Sequence, residues 1–586
     1  MKSLTKLWSE LALDCAKQCD TSCDRDIITM LYRVEHEGDS FLTITLPSFC
    51  SDFERSLELG MIDSTLFLGF KKSGSLPAFL QGLMNLVFDK RTALIHEQPS
   101  IAAIRCIRQL TLIFKKIERE TTERRKRRAE LAYLNCETDL EAVDKSLSAE
   151  QRRDFSTSFA WLYSDVLNDL TKAIERLEVT PKHGPGSTQD KLLGNRKWNF
   201  PNWTVRLEKI FPYAYFCTNT WFSSKDYKYS LLPPEQEPPV KVVFVPKTQK
   251  TPRVIAMEPT HMQYMQQAIM TKLVPLLESS RIGASQGFTD QEPNRAAARR
   301  GSIDKSIATI DLSEASDRVL NSLVLDCLKP WPTVRDAVES CRSSSSELPS
   351  GNIVTLRKFA SMGSALCFPM EVMVFSTIIF LSLRQAGGLS ASNVLRMFET
   401  GKVRVYGDDI VVPVDSVSFV EGYLEAFGLK VNRTKSFSQG KFRESCGGDY
   451  YDGVEVTPVR MRRDLPFRRH HAKELVSSSA TANLLSDGGY ELAAEYLHNT
   501  CEEILGVYPD VPRESDILGR KVYFPVPHGY SSNLHTPIYR GYAPYSRSPK
   551  SPLFGFRALF KSLSGDWSDP LHKDHMTHGG RPPSFT

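Results

Sequence analysis

The chain has no uninterrupted apolar run long enough to cross a bilayer. Residues 366–383 come nearest, but Pro369 and Glu371 break them. The clean remainder, 372–383, falls short of the ~20 residues a spanning helix needs, so a helix buried behind a sheet is the better reading and no membrane partner is expected. The 12 cysteines show no paired spacing, which excludes a disulfide framework and fits a reducing compartment. Cys15, Cys19 and Cys23 share a helical face without an apparent fourth ligand, so core packing is preferred to zinc. His572, His575 and His578 near the C-terminus are weighed the same way. No apolar segment with a small-residue cleavage site follows Met1, so no secretory signal is visible. There is no internal repeat. The excess of positive charge is small, +5 from 74 basic and 69 acidic residues, so a nucleic-acid partner has to be argued from local clusters.

What is present is a globular composition, 41% hydrophobic and 24% charged, over 586 residues, more than one ordinary core holds. Residues 1–180 read as mostly helical, with helix-spaced apolar positions at 83–87 and 101–114. The basic run at 123–128 reads as a solvated helix face balanced by Glu118, Glu120 and Glu130, ahead of an RNA contact. Residues 183–188, His-Gly-Pro-Gly-Ser-Thr, are a turn-rich loop, either a connector or a backbone cradle for phosphate. Residues 231–239 hold four prolines and read as a linker. From 240 to 460 strand-like and helix-like segments alternate, which predicts an α+β core. Helix returns from 474 to about 505. The segment after Tyr539 has no period and is expected to be extended.

The most informative residues are Tyr406-Gly407-Asp408-Asp409. They lie between β-branched segments, 403–405 and 410–412, so they read as a hairpin carrying two carboxylates at its tip. Adjacent carboxylates repel unless a cation sits between them, and oxygen-only ligands point to Mg²⁺ or Mn²⁺. Upstream, the strand-like 307–310 ends at Asp311. If that strand lies beside the hairpin, Asp311 faces Asp408. Three carboxylates around two ions then make a two-metal phosphoryl-transfer site, with an attacking 3′-hydroxyl and a leaving pyrophosphate.

The segments Asp311-Leu-Ser-x-Ala-Ser-Asp317 and Tyr406-Gly-Asp-Asp409 resemble motifs A and C of the RNA-dependent RNA polymerases of levivirus-type single-stranded RNA bacteriophages. Further resembling segments follow the family order. They are Val245-Pro246-Lys247 with Arg253 and Glu258-Pro259, then Asp290-Gln291-x-x-Asn294-Arg295, Ser361-Met362-Gly363, Thr434-Lys435-Ser436-Phe437, and Phe442–Gly447 with 453–458 behind it. The resemblance covers about residues 240–460. It implies a right-hand polymerase with an antiparallel palm sheet: a helical N-terminal region over 1–180, fingers over 181–300, palm over 301–460, and thumb with a C-terminal tail over 461–586. It also implies primer-independent copying of a viral RNA genome from ribonucleoside triphosphates, in the cytoplasm of a bacterial host, with host translation elongation factors Tu and Ts as partners.

In that resemblance Asp311 and Asp408 are the principal metal ligands and Asp409 supports them. Asp317 helps recognise the ribose 2′-hydroxyl, as an acceptor should, and no bulky aromatic stands there to exclude it. Ser361 and Gly363 shape a loop near template and nucleotide; Ser364 stands where the family has Asn. Lys247, Lys250 and Arg253 are read as a clamp on the triphosphate, with Lys247 and Arg253 projecting together from one strand, and Arg295 as a further contact. Lys435 is the candidate general acid for pyrophosphate. Six cations within 460–473, namely Arg460, Arg462, Arg463, Arg468, Arg469 and Lys473, are read as contacts to the RNA backbone. The rival readings are a reverse transcriptase and a non-catalytic RNA-binding scaffold.

Overall fold

The computed structural model describes residues 3–192, 194–218, 229–545 and 553–563. Residues 307–313 combine Ile, Ala, Thr and Leu with little charge, a composition suited to a strand covered on both faces. They form β1 (Ile307–Ser313), an inner strand of a four-stranded sheet. Its companions are β2 (Arg404–Tyr406), β3 (Asp409–Pro413) and β4 (Lys430–Val431), in the order β2-β3-β1-β4. Every neighbouring pair is antiparallel. The chain therefore has the α+β architecture and the antiparallel sheet expected from its sequence. Ile410, Val411 and Val412 are wholly buried, at roughly 1.5–3 kcal/mol of stabilisation each.

The apolar run at 366–383 forms the helix Cys367–Gln385. It is the one described helix long and apolar enough to cross a membrane, and 89% of that stretch is buried inside the protein. A helix apolar on all sides is accounted for by such burial. In a second four-stranded sheet, Val240–Val245 pairs with Arg253–Met257 antiparallel, and Ser345–Glu347 and Ile353–Thr355 extend it. Beyond the palm sheet, β5 (Phe442–Ser445) and β6 (Gly448–Tyr451) form a hairpin.

The N-terminal helices are shared between two cores. Apolar residues between 4 and 117 pack with those of 437–497. Those between 136 and 217 join the palm sheet and the Cys367–Gln385 helix. Cys15 and Cys23 are buried in the first core, as packing predicts. The three tail histidines lie outside the described residues.

A buried arginine ties the first core to the β5–β6 hairpin. The guanidinium of Arg108 donates twice to Glu54 Oε1, at 2.8 and 3.1 Å, and once to the Val456 carbonyl at 2.6 Å. It also pairs with Asp449 on β6 at 2.9 Å and lies over the Phe442 ring. Nearby, the Glu58 carboxylate accepts the backbone N–H groups of Ser438, Gln439 and Gly440. Breaking a buried ion pair by removing one partner strands the other charge. Arg108→Met is expected to destabilise the protein by about 3–5 kcal/mol, read as a lowered midpoint in denaturant; a change under about 1 kcal/mol would show the pair to be dispensable.

Candidate active site

The site is built where β3 meets β1. Register places Asp409 directly opposite Asp311, and Ile410 opposite Ile310. Directly paired residues in an antiparallel ladder project to the same face. The two carboxylates therefore share a surface, while Asp408 sits exposed in the two-residue turn between β2 and β3. Gly407 opens that turn with φ +59°, the sign a type II′ turn demands of its first central residue. A Cβ at Gly407 would lie 2.4 Å from the Phe368 ring, so the turn is also a close approach.

The segment around Asn294 holds this hairpin from behind. Arg404 donates to Asn294 Oδ1 at 2.8 Å and to the Ala284 carbonyl. Tyr406 packs over Gly287, where a Cβ would stand 2.5 Å from the ring. Arg295 donates to the Cys446 carbonyl at 3.1 Å. That bond ties Arg295 through its Nε to the turn of the β5–β6 hairpin.

The electrostatics of the trio are strained. Burial, seconded by the like charge of Asp408, pushes Asp311 up to about 6, against the pull of Lys435 and Asn432. Burial and then Asp408 push Asp409 up to about 7. Asn432 donates to Asp311 Oδ2 at 2.7 Å, and Lys435 Nζ stands 3.8 Å from Oδ1. Both come from a loop pinned twice to β1: Asn432 N–H donates to the Asp311 carbonyl, and Phe437 exchanges two bonds with Thr309. Glu444 and then Asp311 hold Lys435 above its ordinary value although burial opposes them. As it stands, then, Lys435 is a fixed positive charge.

The donor set is carboxylate oxygen alone, which suits hard divalent ions. Two carboxyls raised by burial and by a third negative charge are a strain that a cation relieves. Among the described residues no three His, Cys, Asp or Glu side chains are gathered closely enough to hold an ion as they stand.

Lys247 and Arg253 do not share a strand. The chain turns between them: Val245 pairs with Arg253, and Lys247 and Lys250 lie in the connecting loop. All three are exposed. Lys247 is lowered by desolvation first and then by Arg253 and Lys435, with Asp408 and Asp311 opposing. The loop thus brings Lys247 within electrostatic reach of the carboxylates by bending, where alternation along one strand had been expected to do so.

Ser361 is buried, its hydroxyl 3.1 Å from Tyr133 Oη. Ser364 donates to Gln266 Oε1 at 3.0 Å. Met362 accepts from Ala256 N–H at 2.9 Å, and a Cβ at Gly363 (φ +135°) would meet the Ala256 carbonyl at 2.0 Å. Only glycine permits that contact between the 361–364 loop and the Arg253–Met257 strand. Gly363 also borders a cavity of about 400 Å³ walled by the 184–188 loop, Lys197 and the strands Val240–Val245 and Arg253–Met257. Lys197 Nζ donates to the Gly184 and Gly186 carbonyls of that loop, which engages its carbonyl groups and not its N–H groups.

The cations of 460–473 divide. Arg460 pairs with Asp449 and Arg463 with Glu118; Arg469 donates to the carbonyls of Ile504 and Leu505. Arg462, Arg468 and Lys473 are exposed and unpaired among the described residues. In the 123–128 run, Arg125 donates to the Gln249 carbonyl in the 246–252 loop and Lys126 pairs with Glu123.

Three supporting residues escaped the sequence reading. Asn432 carried no signal beyond its place before Thr434-Lys435. Lys358 is wholly buried beside Asp317. Glu371 had a weak signal, as the lone acid in an apolar run. It lies 3.4 Å from the Ser316 hydroxyl, and burial, then Asp408, raise it to about 8.

Residues 224–469 match the family described as RNA replicase, beta-chain. The RNA-directed RNA polymerase subunit beta of Escherichia virus Qbeta is 36% identical over 222 residues, 38% of this chain and 35% of that one. The corresponding subunit of Enterobacteria phage SP is 37% identical over 227 residues, 38% and 36% of the two chains. The beta chain of Escherichia phage MS2 is 32% identical over 222 residues, 38% and 37%. The matched part thus spans about a third of these relatives' length. Among solved structures, the RNA-dependent RNA polymerase of bacteriophage phi12 overlays with a TM-score of 0.41 at 11% identity, over 79% of this chain and 76% of that one, a loose likeness only. The matched segment contains the carboxylate trio, Lys247, Arg253, Ser361, Gly363 and Lys435. It is similar to the levivirus-type replicases, as its motifs indicate.

A carboxyl whose folded pKa is raised stabilises the fold while it stays protonated, and that contribution is lost as pH rises through the folded value. Glu371→Gln is therefore expected to gain stability relative to the unaltered protein as pH rises from about 4.5 through about 8, the ordinary and raised values of Glu371. Paired melting curves across that window measure it. A difference that stays flat with pH would place Glu371 in contact with solvent.

Proposed function

We propose that the chain is an RNA-directed RNA polymerase that replicates a viral RNA genome. The observation that carries the reading is the opposition of Asp409 and Asp311 beside the Asp408 turn, within the segment that matches the replicase beta-chain family. The reaction is attack of a 3′-hydroxyl on the α-phosphate of a ribonucleoside triphosphate, releasing pyrophosphate. Asp311 and Asp408, supported by Asp409, would hold two Mg²⁺ ions. When bound, such ions lower the pKa of the attacking hydroxyl and neutralise charge on the leaving oxygens.

The chain's own residues do the rest. Lys247, Lys250 and Arg253 at the fingers loop attract the triphosphate, and Lys435 adds a positive charge beside Asp311. Lys435, whose ammonium stands 3.8 Å from Asp311 Oδ1, is also the proposed donor of a proton to the departing pyrophosphate. Asp317 meets the ribose 2′-hydroxyl. The backbone of a product duplex passes over Arg462, Arg468 and Lys473, whose contacts do not read sequence. Primer independence, the bacterial cytoplasm and host elongation factors Tu and Ts are proposed on the family resemblance alone.

The test is incorporation of ribonucleotides on an RNA template with Mg²⁺, with and without host extract. The unaltered chain is expected to incorporate ribonucleotides well above deoxyribonucleotides. Asp408→Asn, at an exposed turn, is expected to fall to background while keeping its melting temperature and RNA affinity. Near-normal incorporation by folded Asp408→Asn would remove the metal assignment.

A further inference from the structure

Lys358 is wholly buried, yet it is a lysine. Its ammonium lies 3.0 Å from Asp317 Oδ1 and 3.1 Å from Glu137 Oε1, and 3.6 Å from the centre of the Tyr133 ring. The contact to Asp317 has hydrogen-bond geometry; the one to Glu137 is an ion pair only. Burial alone would lower its pKa, but Asp317, Tyr133, Cys136 and Glu137 carry it above its ordinary value.

The backbone keeps Lys358 in place. Phe359 N–H donates to the Val319 carbonyl at 2.7 Å, and Asn321 N–H to the Arg357 carbonyl at 3.0 Å. The 357–359 segment is thus laced to the turn that carries Asp317. The Glu123–Ser146 helix clamps both pieces. Cys136 contacts the Asp317 carbonyl at 3.1 Å, Glu137 accepts from Arg357 N–H at 2.7 Å, Asp139 pairs with Arg318, and Tyr133 reaches Ser361. Asp317 itself is partly exposed, and its second oxygen has no partner among the described residues.

We propose that Lys358 is a positioning residue for sugar selection. It tethers one oxygen of Asp317 and thereby leaves the other fixed toward the cleft as the acceptor for a ribose 2′-hydroxyl. Through Glu137 and Tyr133, the Glu123–Ser146 helix of the N-terminal region becomes part of the sugar-selecting apparatus. A tethered carboxylate has fewer rotamers to lose on binding, which is how preorganisation adds to affinity. This inference rests on the polymerase reading and on the role of Asp317 within it.

The experiment is single-nucleotide incorporation of each ribonucleotide against its 2′-deoxy counterpart on an RNA template. Lys358→Met leaves Glu137 unpaired, so Lys358→Met with Glu137→Gln is made beside it as the variant that removes both charges. In whichever of the two folds, discrimination against the deoxynucleotide is expected to fall at least about tenfold. The fall should come through a raised KM for the ribonucleotide, with the deoxynucleotide's KM unchanged. In an Asp317→Ala background the Lys358 change should reduce discrimination no further, because it acts through that carboxylate. Unaltered discrimination in a folded variant, equal losses for both sugars, or a further loss added to that of Asp317→Ala would each overturn the proposal. An unaltered chain that incorporates no nucleotide at all would instead remove the polymerase reading beneath it.

Discussion

The antiparallel ladder between β3 and β1 sets Asp409 across from Asp311, and the surroundings are arranged around that opposition. Directly paired like charges destabilise a sheet, and here both are half-buried with a third carboxylate one residue away. The protein sets cations and donors against this cost. Lys435 and Asn432 approach Asp311, and Lys247 reaches in from the 246–252 loop. Asp408 is placed at the solvent-facing turn. The arrangement is poor for stability and suited to charge that arrives from outside, the usual relation between strain and function.

Precision at this point is supplied from a distance. The hairpin bearing Asp408 can approach Phe368 and Tyr406 can lie flat on the chain only because residues 407 and 287 are glycines. The loop bearing Lys435 and Asn432 ends at residues 438–440, whose N–H groups are gathered by Glu58 from the N-terminal region. Arg108, from the same region, fixes the β5–β6 hairpin that presents Glu444 to Lys435. Helices that look remote in the chain therefore act as the wall behind the site. The Glu123–Ser146 helix does the same against Asp317 and Ser361.

Much of this was legible in the sequence, and for a physical reason. A β-turn between apolar strands has a strong local signature, so the 403–412 hairpin and the place of Asp311 at the sheet could be read from composition and spacing. The apolar run at 366–383 could be assigned to a buried helix because its acid and proline interrupt it too early for a bilayer. Contacts set by tertiary packing were not legible. Nothing local distinguishes Lys358, which is buried, from a surface lysine such as Lys473. Arg460, Arg463 and Arg469 look like a basic patch in the chain, but Asp449, Glu118 and the carbonyls of Ile504 and Leu505, all outside the patch, engage them. Lys247 and Arg253 were read as one strand because the turn at 246–252 carries little turn chemistry beyond Pro246 and Pro252.

The central claim is that Asp311, Asp408 and Asp409 form an electrostatic conflict that a divalent ion resolves. Calorimetric titration of the protein with Mn²⁺, without RNA or nucleotide, measures it most directly, with thermal melting alongside. The account predicts saturable binding that raises the melting temperature of the unaltered protein. It also predicts that Asp311→Asn and Asp408→Asn each abolish both effects, while melting no lower than the unaltered protein when the ion is absent. Binding of equal strength in the two variants, or variants that melt well below the unaltered protein without metal, would contradict it.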